Sequence, residues 1–322
     1  MKSTDTLRRS FAPAVLTVAM LTAPSAFGMQ GRGGPQSEHM AQASRLMGEG
    51  KTAEAIAAVK RELAANPSST PAANLLDTLG ATADARVVFQ RLIDAAAEPG
   101  AKAAAQRAMA MSYAFDGDCA STVKYEQMVM AYWVTREQAE PQNAFYQEGE
   151  MANEAARVCI DAGDLAAAEK WYRAGTELGL KEPGNQTHPK SLWDFRLAHA
   201  LGRLAARRNN KVEADRQIAA ARKALDSDPT MAGAQERFFP YLVGYAALFT
   251  NDLAKAEAEL TKTLGIAGNQ NDPFMNCLLA MTYEKLGQAD KARAAYQKAY
   301  GLATAHNPPA AFTRPFARKK ID

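Results

Sequence analysis

The side chains best able to do chemistry are few and poorly spaced for catalysis. Four histidines, His39, His188, His199 and His306, are scattered through 322 residues. No two stand four apart, the spacing that brings a pair of imidazoles onto one helical face for a metal. Glu148, Glu150 and Glu154 share helical spacing, a pattern more typical of a solvated charged face than of acid–base machinery. The sequence has no Gly-x-Ser-x-Gly elbow and no glycine-rich loop after a strand. These patterns predict no metal, no cofactor and no enzyme. A hydrolytic site built in space from loops such as Lys181 to Lys190 stands as an alternative. What does recur is basic charge. Arg196, His199, Arg203 and Arg207 follow one another at three- and four-residue steps and so share one face of any helix they lie on. Guanidinium groups so placed pair bidentately with carboxylates. The competing reading is a wet face whose charges are met by Asp194, Glu213 and Asp215 nearby.

The elements that position these residues are helical hairpins. Ala-rich amphipathic segments end at short turns: Gly50-Lys51, Gly80-Ala81, Gly117-Asp118, Gly163-Asp164, Asn209-Asn210, Asn251-Asp252 and Gly287-Gln288. Successive turns lie 30 to 46 residues apart. Gly and Asn accept the left-handed conformation that closes a helix, and Asp118, Asp164 and Asp252 are placed to cap the helix that follows. No segment alternates with period two, so no strand is expected. Helix pairs repeating at such intervals predict an all-α solenoid of about seven stacked hairpins. The segment from 176 to 192 is the longest insertion, and its Lys181 to Pro189 stretch is a loop that serves either as a hinge or as passive surface. Beyond Ala305, Pro308, Pro309 and Pro315 predict a non-helical basic tail over 305–322. Phe312 and Phe316 of that tail are placed to cover the apolar end of the last hairpin.

Phe274 to Tyr300 is the clearest unit, with Leu279-Ala280, Tyr283, Gly287, Ala292, Tyr296 and Ala299. It resembles the tetratricopeptide repeat (TPR). Val243-Gly244 with Ala256 and Leu260, and Leu201-Gly202 with Ala214 and Ile218, are similar. The unit at Gly117 departs from the pattern, with Thr122 and Glu126 in the small and aromatic places. The resemblance spans about Glu38 to Thr304, and extends to exported bacterial TPR proteins. It implies a right-handed superhelix whose concave side is lined by the first helix of each hairpin. It also implies an adaptor or scaffold that binds another protein or peptide there. On that face it places Arg107, then Asn153 and Arg157, then Arg196, His199, Arg203 and Arg207, then Phe238, Tyr241 and Tyr245. Arginines beside aromatic rings suit an acidic partner. A small-ligand pocket in the Arg196–Tyr245 region is the alternative.

Bulk properties set the remaining bounds. Hydrophobic content of 47% fits a globular chain, and a net charge of +3 is too mild to indicate nucleic acid. Residues 1–28 read as a signal peptide: Lys2, Arg8 and Arg9, an apolar run from Phe11 to Leu21 too short to span a membrane, then Ala26-Phe27-Gly28. Arg8-Arg9 also resembles a twin-arginine signal. Residues 29–37 read as a flexible leader. The expected address is therefore exported, periplasmic or secreted.

In a TPR stack the second helix of one hairpin lies beside the first helix of the next. The resemblance therefore brings Cys119 and Cys159 together, either as a disulfide or as two packed thiols. Cys277 sits among Met275 and Leu279 as packing. Thiol titration of the denatured chain distinguishes these states. A bonded pair leaves one reactive thiol, and three reactive thiols exclude the bond.

Overall fold

A computed structural model describes residues 37–321, and among them there are helices and turns but no strand. The signal peptide at 1–28 and most of the leader at 29–37 lie outside the described residues. Seven hairpins follow in order: α1 (Glu38–Gly48) with α2 (Thr52–Ala65), α3 (Thr70–Thr78) with α4 (Thr82–Ala95), and α5 (Pro99–Phe115) with α6 (Cys119–Val134). Then come α7 (Pro141–Ala162) with α8 (Leu165–Gly179), and α9 (Lys190–Arg207) with α10 (Lys211–Ser227). A short α11 (Pro229–Gln235) leads through a 3-10 turn, Glu236–Phe238, into α12 (Phe239–Phe249), which pairs with α13 (Leu253–Gly265). Last are α14 (Pro273–Lys285) with α15 (Ala289–Leu302), and a single α16 (Pro308–Ile321).

The seven turn residues all have positive φ, from 53° at Asn209 to 91° at Gly163. At Asn209 and Asn251 a side chain is tolerated because asparagine enters the left-handed region more readily than other non-glycine residues. Asp118, Asp164 and Asp252 each accept the backbone N–H three residues on, satisfying a donor that the helix start leaves free. Asn210, Asp228 and Asp272 do the same.

Small residues set how closely the helices approach. A Cβ on Gly149 would lie 2.8 Å from the carbonyl of Gly175, and one on Gly175 at the same distance from that of Gly149. So α7 and α8 meet backbone to backbone. The Trp193 ring of α9 then packs over Gly149 and Gly179, where a Cβ would come within 2.5 and 2.1 Å of it. Gly244 opposes Leu260 in the same way, with 2.8 Å available. The departing unit at Gly117 is also explained. Thr122 and Glu126 are fully buried, and Thr122 bonds its own turn. Burial, followed by the field of Glu154, holds the Glu126 carboxyl well above its ordinary range, so it packs as a neutral acid.

The C-terminal segment departs from the expected irregular tail: it is a helix. Pro308 and Pro309 occupy its first turn, where a missing N–H costs nothing. Asn307 caps it, accepting the Ala310 N–H at 3.1 Å. Pro315 does fall inside, at a cost of about 3 kcal/mol, and tertiary contacts offset it. α16 packs on α14 and α15, as a cap should, but also on α5 and α7 of the first half. His306, just before it, lies against the rings of Phe89 and Phe115 and bonds the buried Asp77 at 2.8 Å. Arg314 donates to the Thr78 carbonyl at 2.6 Å and to the carbonyls of Tyr300 and Ala303. The stack is thus closed on itself, with its last helix seated on hairpins two to four.

The loop between α8 and α9 is held by contacts of its own. The Glu182 carboxylate has no side-chain exposure; it accepts the N–H groups of Thr187 and His188, and the His188 Nδ1 lies 2.9 Å away. The imidazole stacks on Tyr146 at 3.8 Å. Nor is the carboxylate face of α7 a wet one. Glu148 is buried, Glu150 pairs with Arg196, and Glu154 pairs with Arg107.

Two measurements test these contacts. Arg314→Ala leaves the Thr78 and Ala303 carbonyls without their donor and should destabilise the chain by roughly 2–4 kcal/mol in urea unfolding; a change within error would show that α16 is held by its apolar side alone. Burial, and then the nearby Glu137, push the Glu148 carboxyl up to about 7. The folded state therefore keeps a proton that the unfolded state releases, and stability should fall as pH rises from about 5 to about 8. Glu148→Gln should remove most of that slope in a thermal-melt series.

Candidate functional site

Seven hairpins in series bring the first helices of neighbouring units side by side, and α16 closes over them. Between α7, α9, α12, the start of α14 and the Pro309 end of α16 lies a chamber of about 430 Å³. From α7 come Glu150, Asn153 and Arg157. From α9 come Phe195, Arg196, His199 and Arg203. Tyr172 of α8, Phe238 of the 3-10 turn and Tyr241 of α12 complete one wall, with Phe274 and Met275 opposite. Asp272 at the wall is already engaged as the cap of α14.

The three arginines differ in what neutralises them. Arg196 is paired with Glu150 and lies over the Tyr146 and Trp193 rings at 5.4 and 5.1 Å. Arg157 pairs with Asp161, one turn on, at 3.3 Å, and covers the Phe274 ring at 4.2 Å. Arg203 has no carboxylate. Its Nη1 and Nη2 donate to the hydroxyls of Tyr241 and Tyr172 at 3.3 and 3.0 Å, and its Nε is buried without a partner. Only 6% of Arg203 is exposed. Asp161, whose field reaches it, is shared with Arg157 and Arg207. Burial, reinforced by the charge of Arg203, holds the His199 imidazole well below its ordinary range, so it is neutral at pH 7. Its ring lies 5.1 Å from Tyr241 and 5.7 Å from Phe195.

Of the residues expected on the concave face, Asn153, Arg157, Arg196, His199, Arg203, Phe238 and Tyr241 come together at this chamber. Arg107, Arg207 and Tyr245 do not line it. Arg107 is turned into the α5–α7 contact, with its Nε 3.0 Å from Glu154. Arg207 lies over Phe249, and its Nη1 is 3.5 Å from the hydroxyl of the buried Tyr245. The acids named as possible neutralisers of this face are spent elsewhere: Asp194 on Lys190, Glu213 on Arg216 and Asp215 on Lys211. Sequence reasoning missed Tyr172, Phe274 and Asp161. Asp161 had a signal, since it stands four residues after Arg157. Tyr172 comes from α8, a second helix, and so stands outside the expected first-helix lining.

Cys119 and Cys159 are joined, with their Cα atoms 4.7 Å apart, tying the start of α6 to the end of α7. Cys277 is a buried free thiol. Among the described residues there is no cluster of His, Cys, Asp and Glu suited to a metal, and no helix long and apolar enough to cross a membrane.

The tetratricopeptide repeat family model matches residues 275–306. No curated protein sequence matches the chain. Similar solved structures include a tetratricopeptide repeat protein from Parabacteroides merdae, at 13% identity and a TM-score of 0.45, covering 88% of this chain and 96% of that one. The TPR domain of P58(IPK) is another, at 13% identity and a TM-score of 0.32, covering 88% of each chain. Residues 275–306 match a tetratricopeptide repeat, and the described residues as a whole form a stack of seven helical hairpins closed by left-handed turns.

Proposed function

We propose that the chain is an exported scaffold that holds another protein by its concave side, taking an acidic segment of that partner at the mouth of the arginine-lined chamber. Stacked hairpins offer an extended binding surface and need no reacting group. The observation that carries the reading is the convergence of Asn153, Arg157 and Arg196 from α7 and α9 onto one opening framed by aromatic rings. Arginine matches carboxylates in geometry as well as charge. Because α16 is seated on α5 and α7, the partner meets the solenoid at the chamber and not along the whole concave face. Export is supported by the basic-then-apolar N-terminus and by the Cys119–Cys159 bond, a kind that persists in oxidising compartments.

The test is fluorescence anisotropy with labelled peptides of glutamate-rich and lysine-rich sequence, at low and high salt. The acidic peptide should bind, weaken with salt, and lose about tenfold or more in affinity on Arg196→Glu, which places a like charge beside Glu150. Equal binding of both peptides would remove the acidic partner. Recovery of the chain in the cytoplasmic fraction with residues 1–28 intact would remove export.

A further inference from the structure

The inner part of the chamber makes a second demand that a protein segment at its mouth does not meet. Arg203 is buried and charged, and it faces two neutral hydroxyls. An ion held this way loses its hydration with only the shared field of Asp161 and the faces of Tyr172 and Tyr241 in return, a cost that an anion bonded to it would offset. The neighbouring charges do not supply one: Arg157 already holds Asp161, and Arg196 holds Glu150. Asp272 is held as the cap of α14, so no carboxylate is hydrogen-bonded to Arg203.

Size and walls narrow what can supply it. At about 430 Å³ the chamber is within the range of small-ligand sites and far below that of a folded segment. Around Arg203 the surfaces are rings. Tyr241 and Phe274 meet edge to face, 6.3 Å apart at 88°, and form a corner. His199, kept neutral, adds a third flat face and no competing charge. A phosphate ion would offer no surface to these rings. A flat body with one carboxylate satisfies both.

We infer that the chamber binds a small organic monocarboxylate with a flat apolar body. Arg203 would answer its charge, and Tyr241, Phe274 and His199 would hold its body. The site is independent of the protein partner, since it concerns the inner residues and not the mouth. It makes the scaffold a ligand-loaded one.

The test uses the full chain and the probes benzoate, acetate and inorganic phosphate, each against sodium chloride of equal ionic strength. Benzoate at about 10 mM should raise the melting temperature by several degrees through mass action. By calorimetry it should bind about tenfold or more tightly than acetate, while phosphate should do no more than chloride. Arg203→Met should abolish the benzoate shift and leave the ligand-free chain as stable as before or more so, because it removes an unpaired buried charge. A purely structural arginine would instead lose stability on this change. If that variant does not fold, Phe274→Leu serves: it should weaken benzoate about tenfold and leave acetate unchanged. No shift with benzoate beyond chloride, unchanged benzoate affinity in both variants, or equal binding of phosphate would each overturn the inference. Binding of the acidic peptide without benzoate sinks this inference alone; binding of benzoate without the peptide sinks the acidic-partner reading alone.

Discussion

No hairpin of this chain can bury its own apolar face, so each is held in place by the one that follows. That dependence governs where large and small side chains fall. Where two helices of a hairpin must touch, as at Gly149 and Gly175, the residues are reduced to backbone, and a single large ring, Trp193, fills the space that the next hairpin leaves. The same dependence makes the ends of the stack costly, because the last hairpin has no successor. α16 answers that need. By covering Tyr296 and Phe274 with Phe316 and Phe312, it replaces an eighth hairpin. By reaching Asp77 and Thr78, it gives the chain a closed path instead of an open one.

Closure changes the electrostatics of the interior. An open concave surface leaves its arginines hydrated, and their charges are then worth little to stability or binding. With Pro309 at the wall, Arg203 is buried and Arg157 largely so, and the local field strengthens. Each buried cation then needs an answer. Asp161 answers Arg157 and Glu150 answers Arg196, while Arg203 is left with tyrosine hydroxyls. The same low-dielectric setting keeps His199 and Glu126 neutral. The charge pattern inside therefore depends on where α16 is seated.

Much of the architecture was legible because it is written in local chemistry. Left-handed turn residues and capping aspartates are properties of a few consecutive residues, and all seven turns stand where Gly or Asn announced them. Period and amphipathicity then fix how helices pair. The helical face of Arg196, His199 and Arg203 was also readable, because helical spacing decides it. Two things were not. The proline-bearing tail was misjudged because prolines in a first helical turn cost nothing, and Pro315 is offset by contacts with residues more than two hundred positions away. The fate of Arg107, Arg207 and Glu148 depended on how far each hairpin rotates against the next, which no local rule supplies. Insertions of unequal length shift that rotation, so the same position in successive repeats points into the chamber in one unit and into a helix contact in another.

One helix of the chamber is held from several sides. α7 presents Glu150, Asn153 and Arg157 to the chamber, and Arg107 meets Glu154 on its flank. Desolvating such groups favours any motion that lets water back in. Three constraints oppose it. The glycine contact with α8 leaves no slack, Trp193 clamps the middle of the helix, and the Cys119–Cys159 bond pins its far end two residues before Asp161. Closing a loop across 40 residues stabilises by about 4 kcal/mol in the chain-entropy account, comparable to the penalty for one poorly answered buried charge. The bond thus sits where the interior charges are, next to the turn of α7 that carries Arg157 and Asp161.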